Sequence, residues 1–76
     1  MIIPAITTKF IGATNSRGSR IKATCEGGSA TVDYRHDLSA IDAHTEAFVA
    51  LVEKLGWKDY TWHIGGLSNG YVFVAN

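Results

Sequence analysis

One stretch of this chain carries a helical period, and the residues on either side of it alternate by two. From Ser39 to Leu55, the residues Ile41, Phe48, Val52 and Leu55 fall on one stripe, with Thr45, Ala43, Ala47 and Ala50 filling it in. Ser39 stands where an N-cap belongs, with Asp42 three residues on as in a capping box. Asp42 and Glu46 lie early and Lys54 lies in the last turn, which suits the helix dipole. Gly56 is the natural left-handed residue after the helix, and Trp57 is placed to fold back on Val52. A lone helix with one apolar stripe cannot close a core by itself, so it needs one face of a sheet to cover it.

The sheet is legible in the flanks. Ile21, Ala23 and Cys25 alternate with Arg20, Lys22 and Thr24, and Ala30, Val32 and Tyr34 alternate with Thr31, Asp33 and Arg35. Tyr60, Trp62 and Ile64 alternate with Thr61 and His63. This is the pattern of strands with one buried face. Residues 5–11 and 71–75 read as strands from their β-branched and aromatic content. Glycines punctuate the intervals: Gly12, Gly18, Gly27-Gly28, Gly65-Gly66 and Gly70 each mark a turn that positive φ would ease. The expected fold is therefore α+β, in the order β-β-β-α-β-β. The first three strands form an antiparallel meander and the last two a hairpin across Gly65–Gly70. Together they make an open sheet of four or five strands with the helix on one face, and strand order within it is left open.

At 76 residues and 8.2 kDa the chain is expected to be a single domain, 1–76. Such a domain hides only about 60% of its unfolded surface. One cysteine excludes an intramolecular disulfide framework, and Cys25 falls on the apolar parity of its strand as a small core residue. No apolar run is long enough to span a membrane as a helix. Met1-Ile2-Ile3-Pro4 lacks the basic start of a signal peptide, so a soluble intracellular protein is expected.

The net charge of zero conceals a split. Residues 1–36 set Lys9, Arg17, Arg20, Lys22 and Arg35 against Glu26 and Asp33, a net +3. Residues 37–59 set Lys54 and Lys58 against Asp37, Asp42, Glu46, Glu53 and Asp59, a net −3. From Tyr60 onward there is no charge. The meander is basic and the helix acidic, so the sheet face opposite the helix is expected to carry Arg20, Lys22 and Arg35, with Arg17 at its rim. Such a polarised surface steers a charged partner whatever the total. The same residues also read as ordinary solvated strand positions, with Asp33 pairing Arg20 or Lys22 across the sheet.

Thr14-Asn15-Ser16-Arg17-Gly18-Ser19-Arg20-Ile21-Lys22 is the most distinctive string. A Gly/Ser/Asn loop can turn its amides into an anion-binding nest that arginines reinforce. It lacks the spacing of a phosphate-binding P-loop and no helix follows it, and a turn closed by its own side chains is the plain alternative. Asp33, His36, Asp37, Asp42, His44 and Glu46 match no zinc or calcium spacing, so no metal site and no cofactor are expected. His63 and Ser68 sit in no nucleophile motif, so no catalytic residue is expected and the chain reads as a binding protein, not an enzyme. An acidic helix argues against a major-groove reader of DNA. A sheet-face reader of RNA would need exposed aromatics, for which Tyr71 or Phe73 are the candidates, while Tyr34, Tyr60 and Trp62 point inward by parity.

The Lys9-Phe10-Ile11 strand, Thr14-Asn15, Arg17-Gly18-Ser19-Arg20-Ile21-Lys22-Ala23, Lys54-Leu55-Gly56-Trp57 and the closing Gly70-Tyr71-Val72-Phe73-Val74 carry a resemblance across most of the chain. The sequence resembles a group of short orphan proteins of bacteriophages, prophages and plasmids. The resemblance implies a habitat, the cytoplasm of a bacterial host. By analogy with small proteins of such elements, it implies a stoichiometric inhibitor of host defence, of the anti-CRISPR kind. The expected partner is then a host protein or nucleoprotein defence complex, gripped by Lys9, Asn15, Arg17, Arg20, Lys22 and Arg35. Asp42, Glu46 and Glu53 form a second, acidic contact face aimed at a basic channel. Two alternatives stand beside it: direct nucleic-acid binding by the basic face, and a phage assembly or accessory homodimer formed through an unpaired edge strand.

Overall fold

The period-two segments are strands, and the 3.6-period segment is the one helix. In the computed structural model, which describes residues 4–57 and 59–75, the order is β1 (Ala5–Ile11), β2 (Arg20–Cys25), β3 (Gly28–Asp33), α1 (Ala40–Leu55), β4 (Trp62–Leu67) and β5 (Gly70–Ala75). The Met1-Ile2-Ile3 start and Lys58, part of the charge argument above, lie outside the described residues. All five strands join one antiparallel sheet in the order β3-β2-β1-β5-β4, so the fold is α+β. β1 is central: it pairs with β2 on one side and with β5 on the other. The first strand thus joins the meander to the hairpin made after the helix.

The helix ends are built as their residues dictate. The Ser39 hydroxyl accepts a hydrogen bond from the Asp42 amide at 3.3 Å, and Asp42 supplies a carboxylate to the first turn. Gly56 adopts φ 73°, ψ 24°, donating its amide to the Glu53 carbonyl, while the Trp57 amide reaches the Val52 carbonyl at 3.1 Å. That pair of bonds is a Schellman motif.

The buried helix face is rotated from the expected stripe. Ala43, His44, Ala47, Phe48 and Leu51 are buried, whereas Ile41 is 42% exposed. Two alanines at 43 and 47 let the helix backbone come close to the sheet, and this close seam decides which side faces in. It rests on Ile6, Ile21, Ala23 and Phe73, with the Phe48 ring stacked on Phe73 at 4.1 Å between centroids. Cys25 is half-buried and packs against this core.

The helix lies over β3, β2 and β1 and touches β5, but its backbone stops short of β4. Aromatic side chains bridge that gap: Phe48 meets Trp62 edge-on at 5.0 Å, and Trp57 and Tyr60 pack around the same indole. β4 also runs further than the glycines suggest. It continues through Gly65-Gly66 to Leu67, and the turn is only Ser68-Asn69. Neither Gly65, Gly66 nor Gly70 has positive φ; among the described glycines only Gly28 and Gly56 do.

Candidate binding surface

With α1 on one side, the opposite sheet face receives every second residue of each strand. Ile21 and Ala23 are buried beneath the helix, so Arg20, Lys22 and Thr24 take the open side. Registers then place their neighbours. Lys22 lies opposite Lys9 on β1 and Thr31 on β3; Arg20 lies opposite Ile11 and Asp33; Thr24 lies opposite Thr7 and Ser29. The β1–β2–β3 half of the open face thus carries Thr7, Thr24 and Thr31, with Lys9, Lys22 and Arg20 gathered toward the end where the 12–19 connection leaves the sheet, while Val72, Val74 and Leu67 fall on its β5–β4 half.

This clustering has an electrostatic cost. Like charges directly opposite on adjacent strands are unfavourable. Lys9 and Lys22 occupy such a position with no salt bridge to either among the described residues. Asp33 is in register with Arg20, yet the two form no ion pair. The Arg20 Nε is closed off from solvent and has no hydrogen-bond partner among the described residues. Three cations are therefore gathered on an uncovered face where Asp33, in register with Arg20, is the neighbouring carboxylate and none of the three is in a salt bridge among the described residues.

Arg35, expected on that face, is not there. β3 ends at Asp33, and the chain then turns toward the helix. The Arg35 guanidinium grips Asp37 through two bonds of 2.8 and 3.3 Å and reaches Glu46 at 3.2 Å. Two carboxylates on the helix side outweigh strand parity. The bonds to Arg35 draw the Asp37 carboxyl below its ordinary pKa, and Arg35 is in turn held more firmly protonated, chiefly by its bond to Asp37. Of the six basic-face candidates, Lys9, Arg20 and Lys22 come together, while Arg17 and Asn15 lie exposed in the connection just beyond Arg20.

That connection satisfies part of itself. The Thr14 amide donates to the Arg17 carbonyl at 2.8 Å, and the Arg17 amide donates to the Thr14 hydroxyl at 3.2 Å. Two amides that an anion-binding nest would need are thus spent within the turn. Thr14 supplies the closing side chain. The Arg17 side chain remains exposed and enters no salt bridge among the described residues.

The acidic candidates form a separate place. Asp42, Glu46 and Glu53 line an open groove of about 470 Å³ between the helix and β3, with Val32 and Val49 on its floor and wall. Glu46 is already engaged by Arg35, which leaves Asp42 and Glu53 as its unpaired carboxylates among the described residues.

Tyr71 and Phe73 do not sit on the open face. Phe73 is in the core, and Tyr71 packs edge-on against His44 on the helix side. Tyr60 precedes β4 and is exposed, against its expected inward position. The open face thus lacks the base-stacking aromatics of an RNA-reading sheet among the described residues. His63 and Ser68 are five residues apart along one hairpin arm, roughly 16 Å at strand rise, too far for a nucleophile and its base. No cluster of three or more potential metal ligands occurs among the described residues. No helix is long and apolar enough to cross a membrane among them.

Sequence reasoning missed one buried polar centre. His44 is only 6% exposed, and its Nδ1 lies 2.8 Å from the Thr8 hydroxyl, which also meets the Tyr71 amide and carbonyl at 3.3 Å each. Burial holds the imidazole below its ordinary pKa. The signal was available: His44 is four residues before Phe48, on the same helix face.

No protein family, no curated protein and no solved structure matches the chain.

Proposed function

We propose that this chain is a non-enzymatic binding module that docks on an anionic partner through the uncovered face of its sheet, with Lys9, Arg20 and Lys22 at the centre of the contact and Arg17 at its edge. The observation that carries this reading is the in-register pair Lys9–Lys22 beside Arg20, an arrangement that costs stability in the free protein and is relieved when phosphate or carboxylate oxygens arrive. The partner we favour is a bacterial nucleoprotein defence complex, as the resemblance to short phage proteins suggests. The acidic groove on the other side supports this choice, because it would repel a nucleic acid that tried to wrap the molecule.

A targeted phage plated on a CRISPR-protected host, with and without this protein, tests the class. Rescue of plaques is expected, together with loss of rescue in Lys9→Glu/Lys22→Glu. No rescue by the native protein overturns the defence-complex reading. Direct nucleic-acid binding by the same cations is the second reading. A gel shift by the protein alone, abolished by the same double substitution, would favour it over a protein surface.

A further inference from the structure

We propose that the free edge of β4 pairs with the same edge of a second copy of this chain, antiparallel, about a two-fold axis at Ile64. Ala75 donates its amide to the Pro4 carbonyl and Phe10 donates to the Asn69 carbonyl. With the β1–β5 register, this turns Tyr71, Phe73 and Ala75 toward β1. Gly70, Val72 and Val74 must then face β4, where they meet Leu67, Gly65 and His63. By the same alternation, the N–H and C=O groups of Trp62, Ile64 and Gly66 point away from the sheet. No hydrogen bond reaches them among the described residues.

The two sheet edges are treated differently. On β3 the outward Ser29 carbonyl is taken by the Lys54 ammonium at 3.0 Å, Asp33 places a charge at the edge, and the helix lies alongside. These are the usual ways of blunting an edge. β4 has none of them. It carries no charge and no proline, the helix backbone does not reach it, and Ile64 and Leu67 are each 47% exposed.

The occupant is fixed by the strand's own sequence. Antiparallel pairing centred on Ile64 sets Trp62 across from Gly66 of the second copy, His63 across from its Gly65, and Ile64 beside its own counterpart. Each ring thus faces a glycine, the cross-strand arrangement in which an aromatic covers the backbone that a glycine leaves bare. A Cβ at Gly66 would meet no atom of its own protomer within 4 Å, so the backbone there is open to the side of the partner's half-buried Trp62 that Phe48, Trp57 and Tyr60 leave uncovered. With no charge along the edge, nothing repels a like strand and nothing selects a different one.

Three residue pairs, each exchanging two backbone bonds, give about six new hydrogen bonds. The axis stands perpendicular to the sheet, so both helices lie on one side and both cationic faces on the other. The two Lys9 positions are then five strand spacings apart across the sheet and, since Lys9 lies level with Leu67, six residues apart along it, about 31 Å in all.

Sedimentation or light scattering of the native chain tests the pairing, with hydrogen exchange read residue by residue. Expected are a mass of twice the 8.2 kDa protomer and slow exchange at the Trp62, Ile64 and Gly66 amides. Ile64→Lys brings two ammonium groups together at the axis, and Gly66→Lys blocks the Trp62 site where the protomer has room. Each is expected to give a single-protomer mass with an unchanged circular dichroism spectrum and fast exchange at those three amides. Should Ile64→Lys unfold, Gly66→Lys decides alone. A native chain that stays a single protomer up to millimolar concentration overturns the proposal, including the case in which another protein's strand takes the edge. So does a dimer that survives Gly66→Lys. The proposal rests on the fold and not on the cationic face, so its failure leaves the reading of Lys9, Arg20 and Lys22 intact.

Discussion

His44 and Thr8 form a polar contact inside an otherwise apolar seam, and its chemistry sets a pH dependence. The Thr8 hydroxyl accepts from the Tyr71 amide and donates its one proton to the Tyr71 carbonyl, which leaves it an acceptor for Nδ1–H of a neutral imidazole at 2.8 Å. Because burial lowers the His44 pKa, the unfolded chain binds the proton more readily than the folded one. The resulting stability is fully present above the ordinary histidine value of about 6.5 and is lost as pH falls toward the folded value. We expect the urea midpoint to drop between about pH 7.5 and about pH 5.5, and the drop to shrink in His44→Gln. An equal drop in both proteins would place the titration elsewhere. Thr8→Val leaves the imidazole and the Tyr71 amide short of a partner and should cost about 1–3 kcal/mol at neutral pH. Gly70 is a second sensitive position. A Cβ there would collide with the Thr8 carbonyl on the neighbouring strand, so Gly70→Ala should destabilise by about 3 kcal/mol or more, whereas Gly66→Ala, with open space around it, should cost under about 1 kcal/mol in the protomer. Thermal melts of the two variants side by side check the contrast.

At the scale of elements, the helix is the part most legible in the sequence, because its ends are written in local chemistry. Ser39, Asp42, Gly56 and Trp57 each act within a few residues of their own position, and the bonds they make are the expected ones. Gly56→Ala forces a side chain into the left-handed region and should cost roughly 1–2 kcal/mol, read from chemical denaturation. The two hairpin pairings were legible for the same reason, since short connections bring sequence neighbours together. What is not local was not legible. The choice of buried face depends on how closely Ala43 and Ala47 let the helix approach, and this displaced Ile41 in favour of His44. Strand order depends on β5 returning to pair with β1, sixty residues away in the chain. Arg35 belongs to the same lesson: parity assigned it to the open face, but carboxylates contributed by the next element, Asp37 and Glu46, drew it to the other side.

On the whole molecule, two oppositely charged surfaces lie on opposite sides of one sheet, and a partner can be told from the other by salt and charge reversal. If Lys9, Arg20 and Lys22 each neutralise one phosphate of a nucleic-acid component, the binding constant should fall with a log–log salt slope near −2 to −3. Lys9→Glu/Lys22→Glu replaces two of the three cations and should abolish most of that slope along with the binding. Asp42→Lys/Glu53→Lys changes charge by the same amount in the opposite sense, on the groove beside β3, and should leave affinity equal or raised. Fluorescence anisotropy over a salt series, run on the three proteins with the same partner, reads all of these outcomes. If the acidic pair destroys binding and the basic pair spares it, the helix side is the contact and the open face a solvated surface. The β4 pairing adds a further expectation. Two cationic clusters about 31 Å apart on one face would make the slope of the dimer steeper than that of the Gly66→Lys protomer on a target long enough to span both, and equal to it on a shorter one.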